Sequence, residues 1–332
     1  MDQLIGSPAI ARGLRDVEDR IGRLGGSSAL PGINAGAGRI ISAGGKRLRP
    51  ALTLATALAL GRTPNRRVVT AAACVELIHA GSLVHDDLMD GATERRGART
   101  LNAELGDGKA LVIGDFMLAR AGLAAITAVS RPVAEVLAAT VVELAEGQYL
   151  ETTSLYDPDR TVEAALASIR GKTAALFRAG CLVAAICARA TAEERAGMAA
   201  YGERFGLIFQ ILDDLLDLTA PSGLLGKPAG QDLRHGVYTL PLLLTRDAGA
   251  TGSLGGKLTG EQVEEVIREL RTAGMVELTL EYCRGLAADA VAALPVLRHG
   301  EAAALLYGLP TAYLRQVGEI VGSTSVGCDL LE

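Results

Sequence analysis

ELIHAGSLVHDDLMD, Glu76 to Asp90, carries its polar residues at Glu76, His79, Ser82, Asp86 and Asp90, that is at i, i+3, i+6, i+10 and i+14. At about 100° per residue these positions form one stripe along a helix. Val75, Leu77, Ile78, Leu83, Val84, Leu88 and Met89 cover most of the remaining surface. A surface helix has the opposite proportions, a polar majority and an apolar stripe. The stretch therefore predicts a helix buried on most sides, with one acidic seam lining an internal cavity. The pattern recurs 127 residues on, where Glu203, Gly206, Gln210, Asp213, Asp214 and Asp217 are set among Phe205, Leu207, Ile208, Phe209, Ile211, Leu212, Leu215 and Leu216.

Both seams end in D-D-x-x-D. Acids at i, i+1 and i+4 crowd one helix face, within about 100° of one another. With 17 Asp in 332 residues, chance supplies such a triplet roughly 0.04 times per chain. Two copies therefore call for a shared reason. Carboxylates gathered in an apolar setting repel and lose hydration, so they take up protons or bind cations. With no Cys or His cluster beside them, oxygen-loving ions are favoured, Mg²⁺ above all when phosphates complete the shell.

Cations that suit a polyanion lie nearby in sequence. Gly44-Gly45-Lys46-Arg47-Leu48-Arg49-Pro50 is a compact basic loop before an apolar helix; Arg95, Arg96 and Arg99 follow the first triplet; Lys172-Thr173 and Lys227 flank the second. Glycines let backbone amides approach an anion, and Lys and Arg supply charge-assisted bonds. Diphosphate is the simplest common ligand, since there is neither a Walker A loop nor G-x-G-x-x-G, and neither a Ser-His-Asp order nor zinc-ligand spacing competes.

Outward from these motifs the chain reads as Ala/Leu-rich helices: Leu54–Leu60, Val68–Asp90, Lys109–Val129, Pro132–Glu151, Val162–Arg189, Ala192–Leu218 and Glu261–Leu294. Strand alternation is nearly absent, and the breaks at 25–38, 220–231 and 247–257 are too short for inter-domain linkers. The expectation is one all-α domain over residues 1–332, with an N-terminal helix and flexible Gly-rich segment to residue 38 and an unassigned tail from 321. Hydrophobic residues make up 49% of the chain, ample for a large core, and a net charge of −5 argues against nucleic-acid binding. Five dispersed cysteines suggest reduced thiols in the cytoplasm. The N-terminus lacks a signal peptide, and Asp115 and Arg120 interrupt the apolar run Ala110–Ser130, so no integral membrane protein is expected.

The order and spacing of GGKRLRP, ELIHAGSLVHDDLMD, ERRGART, GDF, AEGQYLE, GKTAALF, FQILDDLLDL and GKPAGQDLRHGVYTLP resemble the trans-isoprenyl diphosphate synthase (polyprenyl synthetase) family, in particular bacterial longer-chain members. The resemblance implies antiparallel helices around a central cavity, a homodimer, and Mg²⁺-dependent head-to-tail condensation of isopentenyl diphosphate with an allylic prenyl diphosphate. By resemblance Asp86, Asp90 and Asp213 clamp Mg²⁺, and Asp87, Asp214 and Asp217 complete the triplets as supporting or shared ligands. Lys172, Thr173, Gln210, Lys227 and Arg95 would hold the allylic diphosphate, and Lys46, Arg49, His79 and Arg96 isopentenyl diphosphate; Asp86, Asp90, Lys172, Asp213 and Lys227 are the catalytic set. One position departs: the family often carries a lysine five residues after the Asp of G-x-D-L, where this chain has Val237 after Asp232.

Product length is a question of volume. Gly81 and Ser82 stand one turn before Asp86, where short-chain relatives tend to carry a bulky aromatic floor. Small residues there predict a product longer than geranylgeranyl diphosphate, because each buried isoprene is favourable and only sterics stop growth. A farnesyl or geranylgeranyl diphosphate synthase is the nearest alternative. A class I terpene cyclase would replace DDLLD with a mixed Asn/Ser/Glu motif and add aromatics, whereas this chain has no Trp and four Phe. A catalytically silent prenyl-diphosphate-binding subunit would have decayed Asp motifs, and both are intact.

Overall fold

The computed structural model describes residues 2–95, 97–220, 229–249 and 254–328. Arg96, Lys227 and the end of the tail, 329–332, lie outside the described residues. In chain order the helices are α1 (Asp2–Gly6), α2 (Pro8–Gly25), α3 (Pro31–Ser42), α4 (Leu48–Ala59), α5 (Arg66–Met89), α6 (Leu101–Leu105), α7 (Asp107–Ala128), α8 (Arg131–Thr153), α9 (Val162–Ile169), a π turn (Arg170–Ala174), α10 (Ala175–Cys187), α11 (Ala192–Thr219), α12 (Gln231–Arg234), α13 (Leu240–Asp247), α14 (Gly260–Thr272), α15 (Met275–Ala293) and α16 (Gly300–Cys328). The all-α expectation holds. Its exception is a two-residue ladder, β1 (Glu94–Arg95) with β2 (Ala98–Arg99), which pairs Glu94 with Arg99 and Arg95 with Ala98. Internal contacts divide the chain into two compact units: Met1–Val141 with Leu176–Ala199 and Pro295–Leu306, and Val142–Ala175 with Ala200–Leu294 and Tyr307–Glu332.

In the first unit α5 is the central helix, packed by α2, α4 and above all α7. Asn65 starts it, its side-chain oxygen accepting from the N–H groups of Arg67 (3.0 Å) and Val68 (3.2 Å). Val68, Leu77, Ile78 and Val84 are at most 1% exposed, each contributing roughly 1.5–3 kcal/mol through burial. The approach of α7 uses glycine on both helices. A Cβ on Gly81 would lie 3.1 Å from Leu118 Cδ2 and 3.2 Å from the Gly114 carbonyl oxygen, while one on Gly114 would collide with the His85 ring.

Several local readings change. The segment 25–38 is not flexible throughout, because α3 runs through most of it. Gly32, Gly36 and Gly38 read as breakers, yet a Cβ on Gly36 would strike Ile113 of α7, so glycine there permits contact between α3 and α7. The predicted helix Glu261–Leu294 is two helices, parted at Gly274 with φ +83°, a left-handed conformation that favours glycine. Val162–Arg189 is likewise interrupted by the π turn. Two helices, Arg66–Met89 and Asp107–Ala128, are by length and composition alone able to cross a membrane. Asp115 and Arg120 therefore do not disqualify the second, as the sequence reading supposed. The first has 78% of its apolar window buried inside the fold, the second 39%.

In the second unit α13 packs against α9, α14 and α15. A capping box starts α14: Thr259 and Gln262 satisfy each other's backbone N–H groups. A cavity of about 930 Å³ runs along α15 and α16, lined by Leu280, Ala287, Val291, Leu314 and others, and no residue of either acidic seam contributes to it.

Candidate active site

The first acidic seam begins in the fold rather than in solvent. Glu76 is 5% exposed and pairs with Arg47 at 2.9 Å; Arg47 also bridges Glu18 at 2.5 Å and donates to the Ile41 carbonyl at 2.8 Å. Burial opposes the charge of this guanidinium, but the two carboxylates outweigh it and hold its pKa above the ordinary value. Arg47 is thereby a strut of the basic loop, held at φ +46° ahead of α4. Its neighbours are placed differently. Lys46 is exposed. Arg49 lies 4.5 Å over the Phe177 ring and brings Nη1 to 3.3 Å from His79 Nε2. The structure thus joins Arg49 and His79, two residues predicted to share a ligand.

Farther along α5, Asp86 is half-buried and Asp90, at the helix end, is exposed. Asp87, 2% exposed, points inward and takes Arg95 Nε at 2.7 Å. Burial pushes the Asp87 carboxyl up, Arg95 pulls it back, and Asp90 adds repulsion. Arg95, predicted to bind phosphate, stands on β1 and is tied to the acidic motif itself. The loop carrying it is fastened to the end of α5: Thr100 Oγ1 and Asn102 Nδ2 donate to the Ala92 carbonyl at 2.7 and 2.9 Å. Ser82 turns its hydroxyl onto the His79 carbonyl at 2.9 Å, and Gly81 is taken up by the contact with α7.

The second seam repeats the division of labour. Asp213 is exposed, whereas Asp214 and Asp217 are each 5% exposed. Thr173 Oγ1 donates to Gln210 Oε1 at 2.8 Å, and Gln210 Nε2 donates to Asp214 Oδ1 at 2.7 Å. Predicted residues from the π turn and from α11 thus form one chain of hydrogen bonds. Burial holds Asp214 well above the usual carboxylate range, the charge of Asp232 adds to this, and the Gln210 amide eases it. Asp217 accepts from the Asp232 N–H at 3.1 Å, fixing the start of α12. Lys172 reaches Glu151 of α8 at 2.5 Å. That contact depends on two glycines, since a Cβ on Gly147 or Gly171 would run into the backbone of the other segment. From the π turn, with its i→i+5 bonding, Lys172 reaches Glu151 and Thr173 reaches Gln210.

Sequence reasoning missed Glu151, the partner of Lys172, and Tyr313 of α16, whose ring stacks on Phe209 at 5.6 Å and 17°. Glu151 closes the AEGQYLE stretch without a role having been assigned to it, and Tyr313 stands in none of the quoted motifs. The metal expectation also takes a more definite form. Among the described residues no three His, Cys, Asp or Glu side chains gather closely enough to hold an ion. Each seam instead offers outer carboxylates, Asp86 and Asp90 in one, Asp213 in the other, with the remaining aspartates turned into the fold.

The polyprenyl synthetase family model matches residues 32–269. The octaprenyl diphosphate synthase of Escherichia coli K12 is 38% identical over 265 residues, covering 78% of this chain and 82% of that protein. A decaprenyl diphosphate synthase from Rhodobacter capsulatus superposes with a TM-score of 0.87 at 31% identity, over 95% of this chain and 99% of the other. A polyprenyl synthase from Caulobacter crescentus, solved with calcium and isoprenyl diphosphate, gives 0.83 at 31% identity, over 94% and 97%.

Proposed function

The chain belongs to the polyprenyl synthetase family, and from that premise we propose that it joins isopentenyl diphosphate head to tail to an allylic prenyl diphosphate, making an all-trans polyprenyl diphosphate longer than geranylgeranyl diphosphate. The observation that carries this reading is the duplicated seam, an outward acid on an apolar helix with a buried acid behind it, the buried acid bonded to Arg95 in the first and to Gln210 in the second. Octaprenyl and decaprenyl diphosphate synthases among the similar proteins support the longer product.

The donor set fits a hard divalent cation. Mg²⁺ prefers one or two carboxylates and fills the rest of its shell with water and substrate phosphate, which suits outer carboxylates that form no complete cage. When bound, Mg²⁺ would neutralise charge on the departing diphosphate as a Lewis acid. Asp86 and Asp90 would be the metal ligands of the first seam, with Asp87 behind them, and Asp213 that of the second, with Asp214 and Asp217 behind it. Lys172, Thr173, Gln210, Arg95 and Lys227 would bind the allylic diphosphate. Lys46, Arg49, His79 and Arg96 would bind isopentenyl diphosphate, the Phe177 ring fixing the plane of Arg49. Ionisation of the allylic carbon leaves a carbocation, the isopentenyl double bond attacks it, and loss of a proton restores the alkene. Apolar residues beside the seams keep water from that cation. One all-α catalytic domain over residues 1–332 is part of this proposal.

The proposal extends to a cytoplasmic homodimer. Leu111, Val112, Leu123 and Ile126 expose 47–52% of their surface on α7, an apolar stripe that a second copy would cover. Cys74, Cys181, Cys187 and Cys283 are free thiols, which suits a reducing compartment.

Purified protein with labelled isopentenyl diphosphate, Mg²⁺ and, separately, dimethylallyl, geranyl, farnesyl and geranylgeranyl diphosphates tests the reading. A product ladder beyond twenty carbons is expected. A stop at fifteen or twenty keeps the enzyme and removes the open floor; no elongation from any primer shifts the function to a cyclase or a silent subunit.

A further inference from the structure

The helix that carries the first triplet stops in a defined turn. Gly91 follows the motif at φ +61°, a left-handed conformation that glycine adopts without steric cost. The Ala92 N–H donates back to the Asp87 carbonyl at 2.9 Å, and the Gly91 N–H to the Leu88 carbonyl at 3.3 Å. These are the paired bonds of a glycine helix cap. Both span Asp90, the C-cap residue of α5, so the backbone beneath this exposed carboxylate is set by the cap.

One side chain grips both ends of that turn. Asn102, on α6, donates from Nδ2 to the Ala92 carbonyl at 2.9 Å and to the Asp87 carbonyl at 3.4 Å. Its other amide atom, Oδ1, is buried without a hydrogen-bond partner, a costly state for a polar atom. Turning the amide over would set Oδ1 against two carbonyl oxygens, so the position is occupied for its donors. Fastening the loop does not require both of them. Thr100 Oγ1 already holds the Ala92 carbonyl at 2.7 Å, and the Thr100 N–H holds the Thr93 carbonyl at 3.1 Å. What Asn102 adds is the bridge to Asp87, across Asp90. Its base is firm: Thr100 Oγ1 caps α6 by accepting from the Ala103 N–H at 3.4 Å, and α6 packs on α5 and α7.

We infer that Asn102 is a positioning residue of the first metal seam: by bridging the Asp87 and Ala92 carbonyls it holds closed the turn that aims Asp90. The inference rests on the metal role proposed above for Asp90. It assigns part of that motif's geometry to a residue on the following helix.

The test titrates the full chain with inorganic diphosphate at fixed Mg²⁺ in a calorimeter, which reads the metal-dependent site without turnover. Asn102→Leu, of similar volume but without donors, is expected to weaken diphosphate binding about three- to tenfold, the range of one neutral hydrogen bond. The Mg²⁺ concentration for half-maximal elongation should rise in the same proportion. Gly91→Ala strains the same turn and should weaken binding too, whereas Gly91→Asn, which tolerates the left-handed conformation, should stay close to wild type. In an Asp90→Asn background Asn102→Leu should add little, because the residue it aims is already gone. Unchanged affinity in a folded Asn102→Leu overturns the inference, even if that variant melts earlier, and leaves the amide as a pin for the loop. An undiminished loss in the Asp90→Asn background overturns it as well. If Asn102→Leu does not fold, Asn102→Ser, whose hydroxyl is too short to bridge two carbonyls, carries the same expectations. A wild-type chain that binds no diphosphate with Mg²⁺ overturns the metal reading instead.

Discussion

At the scale of single residues, each acidic motif separates into outward and inward members. Asp86, Asp90 and Asp213 keep solvent contact, whereas Asp87, Asp214 and Asp217 are spent on Arg95, Gln210 and the start of α12. Replacing Asp86 or Asp213 by Asn should lower kcat by about a hundredfold or more while leaving the melting temperature near wild type, measured by steady-state assay beside thermal unfolding. The floor positions separate in the same way. Gly81→Phe has no room against Leu118 and Gly114 and should cost roughly 3 kcal/mol of stability through overpacking. Ser82→Phe, at a half-buried site, should leave stability closer to wild type and shift products to shorter chains. Chromatography of dephosphorylated products checks this, and an unchanged ladder from a folded Ser82→Phe removes the floor from that position.

At the scale of elements, two helix features carry testable energy. The π turn brings Gly171 against Gly147 so closely that Gly171→Ala should destabilise by about 1–3 kcal/mol and weaken allylic binding, because Lys172 and Thr173 move with the turn. Denaturant unfolding and the allylic KM should change together. At the start of α11, Glu194 accepts from the Thr191 N–H at 2.8 Å and pairs with Arg298. The Thr191 backbone bond is the main cause that holds its pKa below 4.5, with Arg298 adding to it. A carboxylate with a lowered pKa stabilises the fold above its ordinary value and loses that contribution as pH falls through the folded value. Glu194→Gln should therefore melt earlier than wild type at neutral pH, and the gap should close below pH 4.5. A gap that persists in acid would assign the effect to shape rather than charge.

At the scale of the whole molecule, the proposal concerns metal and assembly. Among the described residues no three such side chains gather into a cage, and the proposed cation would complete its shell with water and substrate phosphate. A chelator should abolish elongation, leave the melting temperature unchanged, and be reversed by added Mg²⁺. Leu123→Glu with Ile126→Glu should convert a species of twice 34.3 kDa to the monomer in sedimentation, if the stripe on α7 is the covered face.

How much of this was legible follows from what sequence encodes locally. The stripe from Glu76 to Asp90 and its repeat at Asp213 exposed the helical class and the acidic motifs, because 3.6-residue periodicity and a rare triplet are properties of neighbouring positions. The basic loops, too, could be found by proximity along the chain. Tertiary structure decided which charges serve the fold and which face outward. Arg47 and Asp87 look like their neighbours in sequence, and only packing turns them inward. It also decided where glycine means contact rather than a break, as at Gly36, Gly81 and Gly171, since a close approach depends on what lies opposite. Arg160 stands 78 residues before Tyr238, whose carbonyl it holds at 3.1 Å, in a turn-rich connector without periodicity. No spacing rule joins the two; the docking of Tyr156 on Gly236 does, because a hydrogen bond acts through distance in space and not along the chain.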